Sequence, residues 1–300
     1  MLGWLVGNAS GGLLTALAWW ALDTASESPL AVGLYPSLAL VPVAMGLTAM
    51  WTWRRLDLGP GATALHALTC TILGLGGAYW FFGEGWICLL LAAPLLYAGV
   101  LAGALLGRLW FPRSDGWLRV SVFPALAAMM ATEMALRGPH AGVVTDTVVI
   151  QAPPSRVWPH VVAFPEIQEP PGYWLFRLGL PYPVDTTSGG EAVGASRECR
   201  FSGGAVFGET ITRLERPRHL TFDIVRIPPD PELVGHLQPH RGEFELQDNG
   251  DGTTTLVGRT WYTLNVRPAW YFDAWTREIF REVHLRVMRH VKALAETGPR

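Results

Sequence analysis

Residues Pro268 to Glu296 read PAWYFDAWTREIFREVHLRVMRHVKALAE. Within them Phe272, Trp275, Ile279, Val283, Val287, Val291 and Leu294 recur at three- and four-residue steps, while Arg277, Arg281, Glu282, Arg289 and Lys292 lie mainly off that stripe. This is the period of a single helix face, and at 3.6 residues per turn the segment makes roughly eight turns. Upstream, the hydrophobic period changes to alternation. Thr145 to Gln151 places Val148 and Ile150 on one face, as a strand does, and Ala152, Pro153 and Pro154 stop it. Ser155 then caps a short helix through Phe164, with Val157, Trp158, Val161 and Val162 as its apolar side. Pro159 must occupy a first turn or kink that helix.

Pro165 to Pro183 is rich in proline and aromatics and reads as a short helix followed by a loop. Ala192 to Phe201, Val206 to Leu214, Leu220 to Ile227 and Gly242 to Leu246 are short strand signals separated by turn residues. Asp248, Asn249, Gly250, Asp251 and Gly252 turn the chain into a longer strand, Thr253 to Leu264. An antiparallel sheet followed by one long amphipathic helix predicts an α+β layer arrangement with the helix across the concave face.

The first half of the chain has a different character. Four runs, Gly3 to Leu22, Leu30 to Trp53, Ala62 to Phe82 and Trp86 to Leu106, lack Asp, Glu, Lys and Arg. Each is long enough to cross about 30 Å of hydrocarbon as a helix. Trp19, Trp20, Trp51, Trp53, Trp80, Phe81, Phe82 and Trp86 fall near run ends, where amphipathic rings favour the headgroup level. A fifth run, Val120 to Leu136, is interrupted by Pro124 and Glu133 and is just long enough to span. The expectation is therefore an α-helical membrane bundle of four to five spans over 1–137, a linker over 138–144, and a second domain over 145–296. Arginines before residue 120 occupy only the loops after the second and fourth runs (Arg54, Arg55, Arg108, Arg113 and Arg119), which places those loops and the amino terminus in the cytoplasm. If Val120 to Leu136 spans, as its nearly uniform apolarity favours, the second domain is extracytoplasmic; otherwise it is cytoplasmic. The predicted location is thus a cell membrane of bacterial type, with the lipid bilayer as one partner. The first run lacks a basic n-region and reads as an uncleaved anchor.

Gly3, Gly7 and Gly11, and again Gly99, Gly103 and Gly107, make small-residue faces that suit close helix packing, within the bundle or in a homodimer. Cys70, Cys88 and Cys199 suggest no disulfide framework. From Ala141 onward, 17 Lys and Arg face 19 Asp and Glu without a basic stripe, so nucleic acid is not an expected partner.

The residues VVIQAPPSRVW (Val148 to Trp158), VGASRECRFSGGAVFGETIT (Val193 to Thr212), GRTWY (Gly258 to Tyr262) and the helix around Trp270 to His290 resemble the START-like, helix-grip (SRPBCC) superfamily. They look most like its bacterial polyketide cyclase/dehydrase and lipid-transport type. The likeness covers about 145–296, and the membrane half is not part of the usual pattern. It implies a cavity between a curled sheet and the last helix that takes a hydrophobic small molecule or lipid. Trp174, Phe176, Phe207, Phe222, Phe244, Trp261, Tyr262, Trp275, Ile279, Phe280, Val283, Val287 and Met288 are candidate walls, with plain core filling as the alternative.

Arg197, Cys199, Glu209, Asp223, His236, His240, Arg259 and His284 are the polar candidates. Arg197 and Cys199 share a strand face, and a buried Arg197 needs Glu209 from the next strand. His236 and His240 are read in a proline-rich loop, Pro228 to Pro239, that could cover the cavity mouth, and either could act as acid/base with Glu209 or Asp223 in a cyclisation or dehydration. No triad order, phosphate loop or metal motif is present, and no cofactor or metal is expected. Binding therefore ranks first, ahead of a non-catalytic interaction or sensing role and of catalysis.

Overall fold

The computed structural model describes residues 1–23, 40–56, 58–111, 140–233 and 235–297. The chain divides into two compact units, Met1–Gly138 and Pro139–Arg300.

The first unit is helical: α1 (Leu2–Asp23), α2 (Leu40–Trp53), α3 (Pro60–Gly77), which continues as a π-helical turn over Ala78–Phe82, and α4 (Trp86–Trp110). Two described stretches, Pro60–Phe81 and Trp86–Trp110, are long and apolar enough to cross a membrane. Gly46 of α2 and Gly103 of α4 bring two backbones together, since a Cβ at either would sit about 2 Å from a carbonyl oxygen of the facing helix, Val100 O or Val43 O. Both glycine-repeat faces are consumed inside the chain. Gly3, Gly7 and Gly11 pack on Trp53, Ala49 and Met45, while Gly99, Gly103 and Gly107 pack on Pro42, Val43 and Met50, all of α2. A homodimer through those faces would need them free. Polar bonds tie the helices as well: Asn8 Nδ2 donates to Cys70 O at 3.3 Å, and the hydroxyls of Ser10 and Thr48 lie 2.7 Å apart. The run Val120 to Leu136 lies outside the described residues.

Among its described residues the second unit has a seven-stranded antiparallel sheet, three α-helices and a 3-10 turn at Ser202–Gly204. In chain order come β1 (His140–Ile150), α5 (Pro154–Val162), α6 (Trp174–Leu178), β2 (Pro183–Ser188), β3 (Ser196–Phe201), β4 (Val206–Glu215), β5 (His219–Arg226), β6 (Leu237–Asp248), β7 (Thr254–Leu264) and α7 (Ala269–Thr297). The sheet order is β1-β7-β6-β5-β4-β3-β2. Register shifts in β2, β4 and β6 add the bends that curl a sheet. The C-terminal half of α7 packs Met288, Val291 and Ala295 into a core with Val157, Val161, Ile211, Leu220 and Leu256, which fixes the helix to the sheet and to α5. Gln151 N–H donates to Glu296 Oε1 at 2.7 Å, and Lys292 Nζ donates to Val149 O at 2.7 Å.

Several boundaries differ from expectation. Residues 140–144, read as linker, are strand, because β1 pairs with β7 from His140 opposite Leu264 onward. Gly142 is there for packing: a Cβ on it would meet the Tyr262 ring at 2.3 Å. Ser155 does not cap α5; Pro153 holds that position without a side-chain bond, and Pro154 opens the helix. β2, which alternation did not reveal after the proline-rich segment that ends at Pro183, is fixed by its pairing with β3. β3 begins at Ser196 because Gly194, at φ +89°, turns the chain just before it. β6 begins at Leu237, so Pro239 and His240 belong to a strand.

Candidate functional site

The N-terminal half of α7 meets the sheet at β1 and β7, where Arg277 donates to Val143 O and Asp273 accepts from Tyr262. Between Ile279, Phe280, Val283 and Val287 of the helix and the inner face of β3 to β7 lies a cavity of about 150 Å³. Phe207, Phe222 and Phe244 supply its sheet wall, joined by Phe164, Leu180, Phe201 and Ile224. The segment before β6 borders it through Asp230, Glu232 and Leu233.

Two polar clusters interrupt this wall. Arg197 of β3 and Glu209 of β4 are directly opposite in the ladder, both almost fully buried and ion-paired through Nη1 and Oε2. Arg197 also donates from Nε to Val162 O at 3.0 Å and from Nη2 to Val161 O at 3.4 Å, and its guanidinium lies 4.5 Å over the Phe222 ring. The charges are therefore saturated locally, as a buried pair requires. Burial pushes the Glu209 carboxyl up from its ordinary range, with Arg197 opposing that shift. Cys199, two residues along on the same wall, has its thiol pushed up to about 12 by burial, with the Glu209 charge adding to the effect. It is therefore a thiol at neutral pH and not a nucleophile.

The second cluster is His284 of α7, Asp146 of β1 and Thr260 of β7. His284 is 6% exposed; its Nδ1 lies 2.7 Å from Asp146 Oδ2 and its Nε2 2.8 Å from Thr260 Oγ1. His284 and Thr260 both line the cavity. Asp146 also faces Arg281 Nε, at 3.8 Å. Sequence reasoning singled out His284 but missed Asp146 and Thr260. The available signal was Asp146 itself, which stands between Val144 and Val148 on the side of β1 that turns toward the core.

The other candidates are placed elsewhere. Arg259 reaches the cavity boundary, but its guanidinium is held by Glu243 at 2.5 Å and Glu245 at 2.9 Å. Tyr262 is buried beside Phe280 and donates to Asp273 Oδ1 at 2.5 Å, off the cavity. Phe176 is buried against Tyr173 and Tyr182, and the exposed Trp174 meets Trp275 edge-on. Met288 is in the core and Trp261 is off the wall, opposite Val143. The acid/base pairing expected of His236 or His240 is not formed. His240 is exposed on β6 with Nε2 2.6 Å from Thr263 Oγ1, and Asp223 is ion-paired with Arg241 at 2.8 Å. His236 is buried in the turn before β6 and is not on the cavity wall. Alternation along β6 gives Pro239, not His240, to the cavity. Among the described residues no group of three His, Cys, Asp or Glu side chains is placed to hold a metal ion.

Residues 141–296, just over half the chain, match the family described as polyketide cyclase / dehydrase and lipid transport. The chain belongs to this family. The match runs from the first residues of β1 to the last turns of α7, so this polyketide cyclase / dehydrase and lipid transport domain comprises the whole sheet, the long helix and the cavity between them. None of the curated proteins matches the chain. Among solved structures, it is similar to norcoclaurine synthase from Thalictrum flavum in complex with dopamine and hydroxybenzaldehyde, at 12% identity over 55% of this chain and 95% of the other (TM-score 0.37). It is also similar to the Zhui aromatase/cyclase from a Streptomyces species, at 17% identity over 52% and 94% (TM-score 0.37).

Proposed function

We propose that this domain holds a hydrophobic small molecule or lipid in the cavity between sheet and α7, and that the amino-terminal unit anchors it in a bilayer. The observation that carries the reading is the cavity itself. In a close-packed interior, aromatic and aliphatic side chains fill the space available to them. Here Phe207, Phe222, Phe244, Ile279, Phe280 and Val283 instead surround about 150 Å³ of space, with the charges of Arg197 and Glu209 paired beside it. An apolar wall with a few placed polar groups is the composition of a small-molecule site.

The anchor reading is supported by the outer surface of the first unit. Leu13, Leu65, Ile72, Leu73, Leu90, Leu105 and Leu109 are exposed on its helices, an apolar surface that water does not favour and hydrocarbon does. Trp80, Phe81 and Trp86 are exposed near helix ends, and Arg54 and Arg108 stand near the ends of α2 and α4. Four to five spans fit the apolar runs in the sequence.

The test is mass spectrometry of organic extracts from the full chain purified out of membranes, beside Val283→Trp, which fills the cavity from α7. One hydrophobic species enriched with the wild type and lost from a folded variant is the expected result. A folded wild-type chain that retains nothing, and takes up no apolar fluorescent probe, would overturn the reading.

A further inference from the structure

Among the described residues His284 is the one histidine on the cavity wall, and both of its ring nitrogens are committed. A carboxylate can only accept a hydrogen bond, so facing Asp146 Oδ2 at 2.7 Å puts the ring proton on Nδ1. In the neutral imidazole Nε2 is then a lone pair, and the Thr260 hydroxyl at 2.8 Å donates to it. That leaves the oxygen of Thr260, itself on the cavity wall, with lone pairs and no proton to offer inward. The other polar cluster on the wall differs. Arg197 and Glu209 satisfy each other and the carbonyls of Val161 and Val162. The wall also carries the buried Thr186 hydroxyl, which has no hydrogen-bond partner among the described residues, and the carboxyls of Asp230 and Glu232; the Thr260 oxygen differs from these in being backed by a base with its own counter-charge.

We propose that Asp146, His284 and Thr260 form a proton-accepting site, and that the ligand of this cavity carries an acidic hydroxyl, phenolic or enolic, which it presents to Thr260. This rests on the reading of the cavity as a ligand site and deepens it. The ligand O–H donates to Thr260 Oγ1. In the proton transfer the ligand O–H bond breaks and a new O–H bond forms at Thr260. The proton Thr260 carried moves to His284 Nε2. The products are a ligand oxyanion and an imidazolium held between Thr260 and Asp146, and the reverse steps restore the start, so no further reactant is needed. Asp146 and His284 act through Thr260 as positioning and charge-stabilising residues.

The experiment uses the full chain in lipid nanodiscs, with empty nanodiscs subtracted, titrated with a naphthol and with its methyl ether, which lacks only the O–H. The naphthol is expected to bind about tenfold tighter than the ether, the worth of one hydrogen bond to a basic partner. It should also show the longer-wavelength absorption of the naphtholate. Thr260→Val, matched in size, should bring the two affinities together while leaving that of the ether unchanged, and Thr260→Ser should restore the difference. Asp146→Asn should lose the naphtholate band, a signature that a purely structural role would not move. Equal binding of both probes to the wild type overturns the proton-accepting site and leaves the cavity reading intact. Failure of both probes to bind overturns both.

Discussion

Arg197 and Glu209 sit where a charge is costly, 3% and 6% exposed against a cavity wall. Removing one partner leaves the other buried without a counter-charge, which is the expensive way to break such a pair. Arg197→Met is therefore expected to lower unfolding free energy by about 3–5 kcal/mol, read by chemical denaturation of the full chain in detergent. Cys199 gives a second measurable consequence. With its thiol moved from an ordinary value near 9 up to about 12, roughly a thousandfold less thiolate is present at pH 8 than for a free cysteine. The sign follows: the thiol form is favoured in the fold, so this contribution is complete below pH 9 and is lost as pH rises toward 12. Native alkylation of Cys199, followed by peptide mass mapping, should be slower than in the denatured chain by about that factor and should keep accelerating with pH above 9. The Arg197–Glu209 pairing was legible in the sequence because both follow from strand alternation and adjacent strands. Asp146, His284 and Thr260 were not legible as a group. His284 and Asp146 are 138 positions apart, and only the closing of β1 onto β7 beneath α7 brings them together.

At the scale of elements, α7 was readable because one continuous stripe of apolar residues serves it from end to end. The stripe does not reveal that its two halves do different things. Met288 and Val291 are locked in the core, whereas Ile279 and Val283 face open space, a difference that depends on how far the sheet curls away. β1 and β2 were less legible, for a shared reason: ladder pairing overrode breaker composition at Gly142 and around Pro183. Gly142 carries the clearest mark of this. Its missing side chain makes room for the Tyr262 ring, which is buried and bonded to Asp273. Gly142→Val places a branched side chain where a Cβ alone would lie 2.3 Å from that ring. A destabilisation of about 1–3 kcal/mol is expected, as for overpacking in a filled core. Near-ultraviolet circular dichroism during denaturation checks it, since Tyr262 should lose its fixed environment first.

For the whole molecule, the charge pattern makes a statement that the folded units by themselves do not. Arg54, Arg55, Arg108, Arg113 and Arg119 follow the second and fourth apolar runs, while Asp23, Glu27 and Glu84 follow the first and third. If each run spans, this alternation puts the amino terminus and the Arg loops on the cytoplasmic side. An even number of spans would return the chain to the cytoplasm before residue 120. Val120 to Leu136 then decides the side on which the ligand-binding domain is displayed, because its 17 residues are just enough to cross. Its apolarity, broken only by Pro124 and by Glu133 near the end, favours crossing over lying at the interface. The expected outcome is that alkaline phosphatase fused after Arg300 is active and a green fluorescent protein at the same place is dark. Deleting Val120 to Leu136 should reverse both signals, with the chain remaining in alkali-washed membranes through its first four runs. A dark phosphatase and a bright fluorescent fusion on the intact chain would assign the domain to the cytoplasm, and release of the chain by alkali would remove the anchor altogether.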